Sequence, residues 1–191
     1  TWSNDYVADA VARYPERFTG LTLVNLNHGA DALRAEMERG YEMGLRGVKL
    51  INVYQGHPTE SPLIDVAVEF CHERDLIVLN HDWGSAQQIE RLCTTYPRAL
   101  FITGHANGSY GGVTERVSNL FISTCPFNIW RRTEQFVELY GADRIVFASD
   151  LTDLPIAWGL GPIMYAKIPV EDKRKILGGN LRELLGRYGR R

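Results

Sequence analysis

Leu76-Ile77-Val78-Leu79-Asn80-His81-Asp82-Trp83-Gly84 is a run of aliphatic and β-branched residues that brings a histidine to its carboxyl end and is then broken by a glycine. Two other stretches repeat the arrangement, Leu100-Phe101-Ile102-Thr103-Gly104-His105-Ala106-Asn107-Gly108 and Ile145-Val146-Phe147-Ala148-Ser149-Asp150. Each run is almost continuously apolar, the pattern of a strand buried on both faces of a parallel sheet. In parallel β/α structures the carboxyl ends of the strands form one rim, where ligands gather. Three strand ends carrying His81, His105 and Asp150 therefore predict one site.

The rest of the chain continues the rhythm. Residues 18–26, 47–53 and 120–125 read as three further strands. A first helix starts at Asn4 or Asp5 as cap and stops at Pro15. A second spans 30–43 and is closed by Gly44. Ser61-Pro62, a capping residue followed by proline at the first helical position, starts a helix to residue 74. Helices over 87–96, 113–117, 132–140, 170–177 and 181–188 follow, and the Pro- and Gly-rich stretch 152–162 reads as a long connection. Six strands alternating with helices, at spacings of roughly 25–30 residues, imply a parallel sheet with covering helices. An open doubly wound sheet and a (β/α)8 barrel both fit; a complete barrel typically needs about 250 residues, about two β/α units more than this chain holds.

The chain has 191 residues, 45% hydrophobic and 23% charged, which suits one domain over 1–191 with a sizeable core. A net charge of -2 gives no basic field for nucleic acid or an anionic membrane, and no apolar run approaches a bilayer span. A small-molecule substrate is the expected partner, with homo-oligomerisation compatible. Cys71, Cys93 and Cys125 are an odd number without metal-knuckle spacing and read as free buried thiols of a reducing, cytoplasmic compartment.

A carboxylate ending an apolar strand, as Asp150 does, is costly to bury unless paired or bound to a cation. Imidazole nitrogen with carboxylate oxygen is a usual donor set for Zn²⁺ and its neighbours. His81, His105 and Asp150 are therefore the expected metal residues, and His105 and Asp150 the expected proton-transfer groups. Trp83 and Asn107, close behind the two histidines, are the expected substrate contacts. His28, His57 and His72 read as surface histidines. Lys49, which a carbamate would make a metal bridge, reads as facing helix or solvent, and Cys125 reads as core. Gly108, Gly111 and Gly112 match no phosphate-binding fingerprint and read as a flexible loop.

Taken together, Asn80-His81-Asp82-Trp83-Gly84, Gly104-His105-Ala106-Asn107-Gly108, Phe147-Ala148-Ser149-Asp150 and the closing Ile176-Leu177-Gly178-Gly179-Asn180-Leu181-Arg182-Glu183-Leu184-Leu185-Gly186 resemble the amidohydrolase-related proteins, the second amidohydrolase family. That family includes aminocarboxymuconate-semialdehyde decarboxylase, related aromatic-acid decarboxylases, and lactone or amide hydrolases. The opening stretch from Asn4 to Phe18 is similar to the family's helix before its third strand, so the resemblance runs over nearly the whole chain.

The resemblance implies a (β/α)8 barrel with a divalent metal, expected to be Zn²⁺. In it, His81 is the metal histidine ending the fifth barrel strand, and His105 ends the sixth and helps to activate water. Asp150 ends the eighth as ligand and proton acceptor, and Asn180 is a structural cap. The family's His-x-His pair, which ends its first strand, occurs nowhere in this sequence. With Thr1 at the start, strands one and two are expected to be missing from a piece of a longer protein, leaving two open sheet edges and weak metal binding. The reaction implied is hydrolysis of a C–N or C–O bond in a small carboxylated or cyclic substrate by metal-activated water. Non-oxidative decarboxylation on the same scaffold is the alternative. An inactive barrel without the His-x-His ligands is a second.

Overall fold

The strands are β1 (Thr22–Leu23), β2 (Gly47–Leu50), β3 (Ile77–Asn80), β4 (Leu100–Thr103), β5 (Leu120–Ser123) and β6 (Ile145–Val146) in a computed structural model that describes residues 1–127, 129–151 and 153–189. All pair in parallel, each with the next in sequence, in one sheet of order β1-β2-β3-β4-β5-β6. Parallel strands in unbroken sequential order, each crossed over by helix, are the wall of a (β/α) barrel rather than a doubly wound sheet, whose order reverses midway.

The helices are α1 (Trp2–Arg13), α2 (Ala30–Glu42), α3 (Pro62–Glu73), α4 (Ala86–Thr95), α5 (Gly111–Arg116), α6 (Arg132–Tyr140), α7 (Ile156–Met164), α8 (Val170–Arg174) and α9 (Asn180–Leu185). Helix α3 starts as its sequence dictates: Ser61 Oγ accepts the Leu63 N–H at 3.3 Å, and Pro62 occupies the first turn. It buries Ile64, Ala67, Val68 and Cys71, the three- and four-residue spacing of one helical face.

Strand register sorts every side chain to one face or the other. Val48, Val78, Phe101 and Leu120 lie side by side across β2 to β5 and pack under the helices in the larger core, with Ile64, Val68, Ile89, Leu92 and Phe136. The next row, Leu23, Lys49, Leu79, Ile102 and Phe121, faces the opposite way. On that inner face Ile77, Leu100, Ile102, Phe121 and Val146 form a second cluster, covered by Leu181, Leu184, Leu185 and Tyr188 of the C-terminal segment.

The two sheet edges are not left open, contrary to expectation. At β1, Asn4 is a buried residue inside α1 rather than its cap, and its amide meets both outward-facing groups of Leu23. Asn4 Oδ1 accepts the Leu23 N–H at 2.8 Å, and Asn4 Nδ2 donates to the Leu23 carbonyl at 2.9 Å. At the other edge the Phe147 N–H donates to the Ile176 carbonyl at 3.0 Å, in the π-helical turn Lys175–Gly179. An edge covered by a helix no longer invites pairing with another chain. Asn4→Ala orphans two backbone groups at β1; the expected loss is about 1–3 kcal/mol of stability, read from denaturant unfolding.

Three further expectations need correction. The stretch 152–162 is not all connection: α7 lies in it, carrying Pro162 near its end, while Thr152 is outside the described residues. Two contacts seat this helix, the Thr133 hydroxyl donating to the Pro162 carbonyl at 3.0 Å and Gly159 packing against Phe147, Ala148 and Ser149. The glycines after Asn107 form a short 3-10 turn and the start of α5, with Gly111 against Leu139, not a glycine loop. Asn180 does not cap α9; its Nδ2 donates to the Ala142 and Ile145 carbonyls, both at 2.7 Å, and ties the closing helix to the start of β6.

Candidate metal centre

Four strands end at one place on the inner face. His81 directly follows β3, and its N–H donates to the Leu50 carbonyl at 3.2 Å, so the strand pairing carries on into the site. His105 follows β4 across Gly104, and the two imidazoles meet edge to face with ring centroids 4.6 Å apart. Cys125 lies two residues beyond β5 and is 3% exposed. Asp150 lies beyond β6 with φ of 52°, a left-handed backbone that Asp and Asn tolerate better than other side-chain-bearing residues. Donor atoms of His105, Cys125 and Asp150 all lie within 4.8 Å of one another.

Gly104 sets this geometry. A Cβ there would stand 2.8 Å from His81 Cα, 2.9 Å from the Asn80 carbonyl oxygen and 3.0 Å from His81 N, all backbone atoms that cannot step aside. Gly104→Ala is therefore expected to push the His81 and His105 strand ends apart. Divalent-metal affinity should fall about 10–100-fold, the usual penalty for disturbing the support of a metal ligand; isothermal titration with Zn²⁺ and Mn²⁺ measures it.

The electrostatics of the site centre on Lys49. The row that carries Leu79 and Ile102 also carries Lys49, so its side chain enters the inner face, not the helix layer or solvent as expected from sequence. Burial pulls the ammonium down to about 8, against the opposing pull of Asp150 and Cys125. Among the described residues no hydrogen bond or ion pair within 4 Å satisfies it. Burial, then the charges of Lys49 and His105, push the His81 imidazole below its ordinary value, favouring the neutral form that binds metal. His81 Nδ1 is buried without a hydrogen-bond partner. Burial and the neighbouring Asp150 push the Cys125 thiol up to about 12.

Of the expected metal residues, His105 and Asp150 belong to the tight donor group, and His81 stands against His105. Cys125 joins them although its sequence reads as core. Trp83 must be reassigned: it is 1% exposed, its indole N–H donates to the Ile102 carbonyl at 3.1 Å, and its ring packs edge-on to Phe101 at 5.2 Å. It is a core residue that cannot touch a substrate. Asn107 lines a cleft of about 350 Å³ with Tyr54, His81, Asp82 and His105. Its side-chain oxygen is engaged, accepting the Ser109 N–H at 2.8 Å. The remaining histidines lie apart: His57 bridges Asn27 and Ser61, and His72 Nδ1 accepts the Arg98 N–H.

Nitrogen, sulfur and carboxylate oxygen donors suit a divalent cation of the zinc type. Ligands bound at about 2.0–2.3 Å lie at most about 4.6 Å apart. The observed group meets that spacing after small side-chain shifts, with the His81 ring outside it against His105. The residues present fit such an ion.

A one-sheet β/α wall with candidate metal donors at its strand ends defines the class of β/α barrel proteins. Within that class the chain belongs to the Amidohydrolase family, whose model matches residues 2–187. A comparison with curated proteins finds no match. Among solved structures, an uncharacterised TIM-barrel protein from Bordetella bronchiseptica superposes with a TM-score of 0.82 at 21% identity, over 98% of this chain and 73% of that one. The 5-carboxyvanillate decarboxylase LigW from Sphingomonas paucimobilis gives 0.74 at 20%, over 95% and 70%. The 2,6-dihydroxybenzoate decarboxylase from Rhizobium gives 0.73 at 18%, over 96% and 76%. At these identities the likeness establishes the fold. No helix among the described residues is long and apolar enough to cross a membrane.

Proposed function

We propose that this chain carries a metal-dependent, non-oxidative decarboxylase site for a small aromatic carboxylic acid. The observation that carries the reading is the donor group His105, Cys125 and Asp150 with the unpaired Lys49 cation on the same inner face. Membership of the family and the decarboxylases among its structural relatives support it. His105, Cys125 and Asp150 would hold the divalent ion, with His81 beside them. When bound, that ion supplies positive charge that orients and neutralises the anionic oxygens of the substrate. The sulfur donor favours Zn²⁺; a related dihydroxybenzoic acid decarboxylase from Polaromonas holds manganese.

The chain's own groups then serve the proton balance. As the bond from ring to carboxylate breaks, its electron pair stays on the ring carbon, CO₂ leaves, and the carbon needs a proton. Lys49, with its ammonium lowered to about 8, is an acid of suitable strength for that transfer near neutral pH. The neutral amine left behind takes its next proton from solvent, and the Asp150 charge facing it favours the return to the ammonium form. Lys49→Met keeps the length of the side chain and removes the charge. It is expected to lower kcat about 10²–10⁴-fold while leaving metal content unchanged.

The test is the chain loaded with Zn²⁺ or Mn²⁺ and offered a panel of hydroxylated benzoates, with CO₂ release as readout and a parallel panel of amides and lactones. Metal-dependent CO₂ release that disappears in Lys49→Met supports the proposal. Hydrolysis without CO₂ release would replace it with the hydrolytic chemistry that the same donors can serve, and failure to bind either metal would leave an inactive barrel.

A further inference from the structure

A cavity of about 860 Å³ opens beside the donor cluster, between the segment that follows β5 and helix α7. Cys125, Ala148 and Ser149 line it, so it shares Cys125 with the donor group and reaches the residue before Asp150. Its lining includes Trp130, Trp158 and Tyr165, which are 83%, 58% and 90% exposed. Arg131 and Arg132 line it as well. Their guanidinium groups lie near the rings of Trp130 and Phe136, at 5.6 and 5.3 Å, and neither makes an ion pair or side-chain hydrogen bond among the described residues. Glu134, the one acid of the lining among the described residues, accepts the Lys167 backbone N–H at 2.9 Å, and that bond together with the charges of Arg131 and Lys167 holds its carboxyl below its ordinary value.

These features answer different parts of one ligand. Exposed aromatic side chains beside cations favour flat rings bearing negative charge. Planar guanidinium groups favour carboxylate over other anions because they bind it with two parallel bonds. The volume is near the top of the ~300–1,000 Å³ range of small-molecule sites, more than a single substituted ring fills. Continuity with the donor cluster through Cys125 argues that the cavity takes the remainder of a reacting molecule.

We propose that this cavity is a recognition compartment for an extended aromatic acid, whose reacting end lies at the donor cluster and whose remote end carries a second anionic group held by Arg131 and Arg132. The inference rests on the metal-site reading above and extends it from reaction to substrate class. Gly159 holds the α7 wall in place, because a Cβ there would come within 3.2 Å of Phe147 and Ser149.

The test is equilibrium binding, independent of turnover. Trp130 and Trp158 are two of the four tryptophans and report occupancy by fluorescence quenching. The whole chain, with metal content measured on the same sample, is titrated with biphenyl-4,4'-dicarboxylate, biphenyl-4-carboxylate and benzoate. The dicarboxylate should bind about tenfold or more tightly than the monocarboxylate, as expected for one added charge-assisted contact. The combined Arg131→Gln, Arg132→Gln variant should erase that difference and leave the monocarboxylate unchanged, whereas Trp158→Ala should weaken both. Equal affinity for the two biphenyls, a difference that survives the arginine changes, or no quenching by any probe would overturn the proposal. So would sedimentation showing a dimer that shields Trp130 and Trp158 from acrylamide and excludes the probes. Stoichiometric metal without discrimination overturns this inference alone; discrimination without metal binding overturns the metal reading and leaves the compartment standing.

Discussion

Asp150→Asn is expected to reduce turnover by at least about 10²–10⁴-fold, the range for disabling a proton-transfer step, while the melting temperature moves little. The substitution removes one donor of the three and the carboxylate that faces Lys49. It is the right probe because the backbone at 150 is left-handed, with φ of 52°. Asparagine accepts that conformation about as well as aspartate, whereas alanine would add strain and blur a chemical effect with a folding one. In the absence of metal, relief of a partly buried charge offsets the lost contacts. Turnover, metal content by elemental analysis and thermal melting, taken on the same preparations, separate these effects. A variant that keeps wild-type turnover and metal would make Asp150 structural, and the proposed mechanism would fall with it.

The strand ends were legible because parallel strands buried on both faces leave continuous apolar runs, and a polar residue at the end of such a run has few other roles. The same rhythm implied a parallel sheet with covering helices but fitted a doubly wound sheet as well as a barrel. The family resemblance pointed to the barrel, and the sequential strand order bears it out. Lys49 was legible in principle and misread. Val48 and Leu50 are the apolar pair that packs under the helices, so parity alone sends Lys49 to the inner face, as it sends His81 with Ile77 and Leu79. Cys125 carried no such signal, since a cysteine after an apolar strand has the same sequence context in a core and in a donor cluster.

Helix α7 was missed for a different reason. Its stretch contains Gly159, Gly161 and Pro162, poor helix formers all. Its helicity comes from tertiary contacts that no local propensity reports, the Thr133 bond and the close seat of Gly159. The edge covers belong to the same category. Asn4 had the sequence context of a helix cap, and only the approach of α1 to β1 gives its amide the Leu23 backbone as partner. Residues whose role depends on which element lies opposite are the ones a linear reading loses.

Trp83→Ala is expected to cost about 3–5 kcal/mol of stability, the range for emptying a buried tryptophan or phenylalanine site. The indole is among the largest fully buried side chains of the chain, and its N–H is bonded to the Ile102 carbonyl within β4. Removal leaves a cavity beside Phe101 and strips a buried carbonyl of a partner, two costs that add. Were Trp83 a substrate contact, its loss would raise KM and leave the unfolding curve in place. The structure expects the reverse for Trp83→Phe, which keeps the ring against Phe101 and loses only the hydrogen bond: about 1 kcal/mol in stability, with KM unchanged. Urea unfolding of both variants, with KM measured for the phenylalanine form, distinguishes the two roles. A raised KM at unchanged stability would return Trp83 to the substrate site and require the β3 strand end to open further than it does here.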